Sequence, residues 1–131
     1  MVMSETNWTP GPWAVSDFYT DCSTILDTNG YAHVEAFSTA ILQDYQKILG
    51  VDHWADSGEA SRHVSVDEQA ANAHLIAAAP ELYEALDSSI IRQLIGEIED
   101  NPSVATAGLW ALAVQWMELR DAALAKARGE A

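Results

Sequence analysis

The sequence predicts an α+β fold, with a small antiparallel sheet in the N-terminal half packed against helices from the C-terminal half. Three observations carry that expectation. Turn-forming and β-prone residues concentrate before about residue 65, and helix-prone residues dominate after it. Asn29-Gly30 stands between two strand-like runs, an arrangement that signals a hairpin. From Ser65 onward the apolar residues recur at helical spacing. The 131 residues are enough to bury a core without disulfide or metal support. The chain reads as a single domain: an irregular arm over 1–12, a β-region over 13–38, a helix over 39–50, a loop over 51–64 and a helical region over 65–128.

The arm contains "TPGPW", whose prolines flank a glycine and forbid a helix, so a strand is expected to begin near Trp13. Asn29-Gly30 accepts the positive φ values of a type I′ turn. A two-residue loop there would set Ile25 opposite Val34 and put Leu26 on the face of His33. Over 39–49, Ile41, Leu42, Tyr45, Ile48 and Leu49 follow i, i+1, i+4, i+7 and i+8, which predicts a helix stopped by Gly50. The polar stretch "VDHWADSGEASRH" has no period and reads as a loop, with Trp54 as its anchor.

Ser65 and Glu68 form a capping-box pattern, so a helix starts there and runs to about Ala79. Pro80 lacks an N–H and forces a kink or a restart. Beyond it Leu82, Leu86, Ile90, Leu94 and Ile98 fall every four residues, the stripe of a core-facing helix. Asn101-Pro102 repeats the start signal. The last helix carries Leu109, Leu112, Trp116, Leu119 and Ala123 on one face and Trp110, Val114 and Met117 beside it, with Gly129 as its stop. The alanines from Ala70 to Ala79 make the first of these helices thin, so that another element can approach it closely. Half-burial and a hydrogen bond are the expectation for His74 in that helix.

"TPGPW", together with "ANAHLIAAAPELYEAL", resembles a widespread group of small proteins of tailed phages and prophages. The match covers Thr9 to Trp13 and Asn72 to Leu86, with His74 where arginine is usual and Tyr83 where leucine is usual. That resemblance implies phage or prophage origin and a small α+β fold; it brings no catalytic residues.

Twenty acidic residues face six basic ones, giving a net charge of −14. Such a field repels nucleic acid and anionic membranes and attracts basic protein surfaces. Nothing in the chain is apolar for the roughly 20 residues a membrane helix needs, and the N-terminus lacks the basic and apolar regions of a signal peptide. Cys22 is the single cysteine and offers no disulfide or metal pair. No Walker loop, GxGxxG, GxSxG or HExxH occurs.

Charge and resemblance together lead to the expectation of a phage-encoded, non-enzymatic inhibitor of a bacterial defence system, of the anti-CRISPR or anti-restriction type, in the host bacterial cytoplasm. It would bind a basic, nucleic-acid-binding surface of a host defence protein as an acidic DNA mimic, without touching nucleic acid or membrane itself. The expected partner-binding residues are Asp44, Asp52, Trp54, Asp56 and Glu59 in the middle segment and Glu97, Glu99 and Asp100 at a helix–helix junction. Each carboxylate has a plainer reading as a solvated surface acid. Trp8 and Trp54 lie in irregular segments, where an aromatic side chain serves either as a cap on the core edge or as a contact anchor for a partner. No cofactor and no metal are expected. One alternative is a structural or adaptor phage protein forming a homodimer through its last helix. A weaker one is a metal-dependent enzyme using Asp52, His53, Asp56, Glu59 and His63.

Overall fold

A computed structural model describes residues 7–16, 23–101 and 107–130. The expected α+β architecture is found. A three-stranded antiparallel sheet consists of β1 (Ala14–Val15), β2 (Thr24–Leu26) and β3 (Ala32–Glu35), in that order. A second, two-stranded sheet pairs β4 (Thr39–Ile41) with β5 (Ser61–His63), and the short helix α1 (Tyr45–Leu49) lies between them in sequence. Four helices follow: α2 (Val66–Ala77), α3 (Ala79–Leu86), α4 (Ser89–Asp100) and α5 (Ala107–Ala127).

The hairpin forms where Asn29-Gly30 placed it, but with a different turn. Gly30 N–H donates to the Asp27 carbonyl at 3.1 Å, so Thr28 and Asn29 are the central residues, and Gly30 follows at φ 86°. This is a three-residue loop closed by a left-handed glycine, not the two-residue type I′ turn. Ile25 does face Val34, while the extra residue shifts Leu26 onto Ala32. The Asp27 carboxylate explains the preference, since its Oδ1 accepts from the N–H groups of Asn29 at 2.9 Å and Tyr31 at 3.0 Å.

Two further expectations need correction. The helix read over 39–50 begins only at Tyr45, and the loop read over 51–64 contains β5 and a 3-10 turn at Trp54–Asp56. Thr39 and Ile41 are β-branched, and pairing with His63 and Ser61 wins over a helical period that this short stretch also satisfied. The second correction concerns the stripe from Leu82 to Ile98, which does not run along one helix. α3 ends at Leu86, and α4 restarts behind Ser88, whose Oγ accepts the Ile90 N–H at 3.2 Å. Asn101 closes α4, and the expected proline start at Pro102 lies outside the described residues, as does Cys22.

Local chemistry sets the remaining boundaries as expected. Ser65 Oγ accepts the Glu68 N–H at 3.2 Å, while the Glu68 carboxylate turns instead to Arg62 of β5, so only half of the capping box is made. Pro80 sits in the first turn of α3. At the C-terminus of α5, Gly129 (φ 75°) and Glu130 donate to the carbonyls of Lys126 and Ala125, a Schellman closure. His74 is half-buried with its ring against Gly129, where a Cβ would come within 2.9 Å. Packing on that backbone takes the place of the expected hydrogen bond, for which no partner occurs among the described residues.

The core lies where the thin helix meets the hairpin. Ala73 and Ala77 of α2 bury against Ile25 and Ala36, with Trp13, Val15 and Ile76 packed around them. Alanine at those positions lets α2 approach β1 and β2 closely, as the alanine run predicted. Gln69 fixes the seat, its buried Nε2–H donating to the Ala36 carbonyl at 2.7 Å. Farther along, the Trp116 indole N–H of α5 donates to the Ala85 carbonyl at 3.0 Å, satisfying an acceptor near the end of α3.

The arm docks across the α2–α3 junction. Trp8 packs edge-on against Tyr83, with ring centroids 4.7 Å apart, and Trp13 Nε1–H donates to the Thr9 carbonyl at 3.1 Å. Gly11 lies so close to Pro80 that an added Cβ would sit 2.6 Å from the Pro80 Cβ. Both partners are backbone or ring atoms with little freedom, so Gly11→Ala is expected to cost about 1–3 kcal/mol of stability in urea denaturation. An unchanged midpoint would show that the arm does not depend on this contact.

Candidate partner-binding surface

The expected residues divide into two groups on different elements. Asp44 stands at the N-terminal boundary of α1 without capping it through its side chain. Asp52, Asp56 and Glu59 follow on the connection between α1 and β5, around the 3-10 turn. This turn is built locally: His53 Nδ1 accepts the Ala55 N–H at 3.1 Å, and Ser57 Oγ accepts the Glu59 N–H at 3.3 Å. Trp54 is half-buried beside the His53 ring, with centroids 5.3 Å apart. Glu97, Glu99 and Asp100 occupy the last turn of α4, which packs on α5.

All seven of these carboxylates are exposed, and none takes part in an ion pair among the described residues. The basic side chains are committed elsewhere. Of the six lysines and arginines, five pair with a carboxylate: Arg62 with Glu68, Arg92 with Asp87, Arg120 with Asp121, Lys126 with Glu81, and Arg128 with Glu130. Hydrogen bonds to the partner, foremost, hold the carboxyls of Glu68 and Glu130 below their usual range. Such exposed pairs contribute little to stability. These five cations neutralise carboxylates other than the seven, and Lys47, the sixth, lies in α1 three residues from Asp44.

A feature not expected from sequence lies beside the hairpin. A pocket of 350 Å³ is lined by Trp8, Trp13, Leu26, Asp27, His33 and Val34, among others. His33 Nε2 lies 2.8 Å from Asp27 Oδ2. The hydrogen bond to His33, and then those from Tyr31 and Asn29, hold the Asp27 carboxyl below the ordinary carboxylate value, outweighing desolvation. Sequence reading could have found the pair only through the register, because its members stand six positions apart across the bulged hairpin. A carboxyl whose pKa falls on folding stabilises the fold above its unfolded value, near 4, and loses that contribution as pH drops through the folded value. Wild type is therefore expected to lose more stability between about pH 5 and pH 3 than Asp27→Asn, in parallel urea titrations. Equal losses would mean that these hydrogen bonds do not favour the charged form.

The reading of residues 52–63 as a metal site is not supported by the geometry. His53 caps its own turn and His63 lies in β5, and among the described residues no three histidine, cysteine, aspartate or glutamate side chains stand close enough to hold an ion.

Residues 3–131 match the model of the family described as Salmonella phage P22 protein Y8K6. The chain belongs to this family. No curated protein and no solved structure matches it. Membership in the P22 protein family agrees with the phage origin implied by "TPGPW" and the alanine-rich helix. The fold brings those two stretches together, Gly11 on Pro80, and Trp8, just before the first stretch, packs on Tyr83. No helix among the described residues is long and apolar enough to cross a membrane.

Proposed function

We propose that this phage protein is a non-enzymatic binding protein whose carboxylates occlude a basic, nucleic-acid-binding surface of the bacterial host. A defence component is its target class, in the manner of an anti-CRISPR or anti-restriction inhibitor acting in the host cytoplasm. The observation carrying this reading is the pairing pattern of the charges. Five of the six lysines and arginines are committed to other carboxylates, and Asp44, Asp52, Asp56, Glu59, Glu97, Glu99 and Asp100 stand exposed and outside every ion pair among the described residues, as do Glu35, Asp67, Glu84 and Glu118. Duplex DNA presents one charge per roughly 1.7 Å of axis, and proteins that hold it do so with lysine and arginine. A folded carboxylate surface satisfies the same side chains without being a substrate for cutting or translocation. Trp54, half-buried beside the charged turn, supplies an aromatic contact of the kind that gives protein interfaces specificity.

Affinity capture from lysate of a defence-carrying host, at low and moderate salt, is the test. Occlusion is supported by recovery of a nucleic-acid-binding protein that duplex DNA displaces and that salt releases. A captured partner that binds DNA and this protein simultaneously would rule it out.

A further inference from the structure

The pocket beside the hairpin has a lining that selects an occupant by charge and by shape. Two indoles stand in its wall, Trp8 of the arm and Trp13 just before β1, together with aliphatic side chains of the hairpin. Its ionisable groups are Asp27 and His33, and no lysine or arginine lines it among the described residues. At 350 Å³ it lies at the small end of ligand-binding cavities, a size suited to one long side chain or a small molecule.

The hydrogen bonds decide which polar groups a ligand meets. Asp27 Oδ1 accepts the N–H groups of Asn29 and Tyr31, and Oδ2 lies 2.8 Å from His33 Nε2. An ionised carboxylate only accepts, so Nε2 carries the proton and Nδ1 of the neutral ring is an acceptor. That nitrogen has no partner among the described residues. Three of the roughly four acceptor positions of the carboxylate are filled, and the Trp13 indole N–H is engaged by the Thr9 carbonyl. The Asp27–His33 pair therefore offers acceptors and one negative charge, and no donor. The Asp27 side chain is 11% exposed, so its charge is screened by solvent less than that of an open surface acid.

We infer that this pocket is a guanidinium-binding site, taking an arginine side chain or a small molecule that carries the same group. A guanidinium has five N–H donors and no acceptor, the complement of the Asp27–His33 pair. It is flat, always charged and weakly hydrated, and it stacks on indole faces. A lysine ammonium brings the charge but is compact and strongly hydrated, so it gains less from the aromatic wall. An uncharged group leaves the Asp27 charge unanswered, and an anion is repelled by it. The edge-on contact of Trp8 with Tyr83 holds part of this wall in place before a ligand arrives. None of the seven carboxylates of the occlusion surface lines the pocket, so the two readings fail separately.

Titration of the full chain with N-acetyl-arginine amide, followed through the tryptophan indole N–H resonances by NMR, tests the inference. Saturable shifts at Trp8 and Trp13 are expected, with a dissociation constant of about 1 mM or tighter, while Trp110 and Trp116 stay in place. The citrulline amide, of the same shape without the charge, is expected to bind at least about 10-fold more weakly, and the lysine amide at least about 3-fold. Asp27→Asn is expected to weaken binding at least about 10-fold. Trp8→Leu leaves the hairpin untouched and is expected to weaken it several-fold. Circular dichroism identical to wild type shows that each variant keeps the fold. Free arginine separates the two sources of the group: equal or weaker binding than the capped form assigns a protein side chain, and tighter binding assigns the free compound. Equal binding of the arginine and citrulline amides would overturn the inference. So would the lack of saturation by about 20 mM, shifts confined to other tryptophans, or wild-type affinity in both variants.

Discussion

Ile25→Ala is expected to lower the unfolding free energy by about 2–4 kcal/mol. Ile25 is 1% exposed and the largest fully buried apolar side chain among the described residues, and its buried neighbours are alanines that do little to compensate for its removal. Ala73 and Ala77 face it from α2, and Ala36 adjoins it from the end of β3; none has a side chain able to move into the space. Gln69, bonded to the Ala36 carbonyl, holds α2 at its distance from the sheet, so the cavity stays open. Ile25→Val removes one methylene and is expected to cost about 0.5–1.5 kcal/mol. Urea denaturation of the two variants checks both values. A loss below about 1 kcal/mol for Ile25→Ala would mean that the thin helix collapses onto the hairpin.

Reversing Asp52, Asp56 and Glu59 to lysine is expected to weaken binding to the captured partner at least about 30-fold at moderate salt, mostly through slower association. The three side chains are exposed and surround a turn held by its own hydrogen bonds, donated by the Ala55 and Glu59 N–H groups to the side chains of His53 and Ser57. Stability should therefore change little, and a binding defect can be assigned to charge. The variant's affinity should also depend less steeply on salt than that of wild type. Unaltered affinity would remove the middle segment from the interface and leave Glu97, Glu99 and Asp100 as the remaining expected contacts.

Where a residue's role was decided by its immediate neighbours, the sequence was a good guide. Ser65, Pro80 and Gly129 act within one turn of chain, and each marks a helix boundary in the structure. The alanine run also announced its use, because a thin helix has value only against a close neighbour. Segments decided by distant partners were read less well. Thr39–Ile41 is a strand because Ser61–His63 lies beside it, and nothing in either stretch names the other. The leucine–isoleucine stripe hid the break at Asp87-Ser88, since a four-residue repeat survives a restart of that length. In the hairpin, Asn29-Gly30 marked the place of the turn, but the Asp27 carboxylate chose its type and brought His33 into contact. The exposure of the acidic residues was legible from composition. Their division between the middle segment and a helix–helix junction was legible too, whereas the commitment of the cations to other carboxylates required three dimensions.

The salt dependence of the equilibrium constant for the captured host partner, measured with wild-type protein, addresses occlusion most directly. Carboxylates occupying a nucleic-acid groove predict an affinity that falls steeply and continuously from about 50 mM to about 500 mM salt, as that of the displaced DNA does. An affinity that stays level across that range would contradict a charge-based mechanism, whatever the partner.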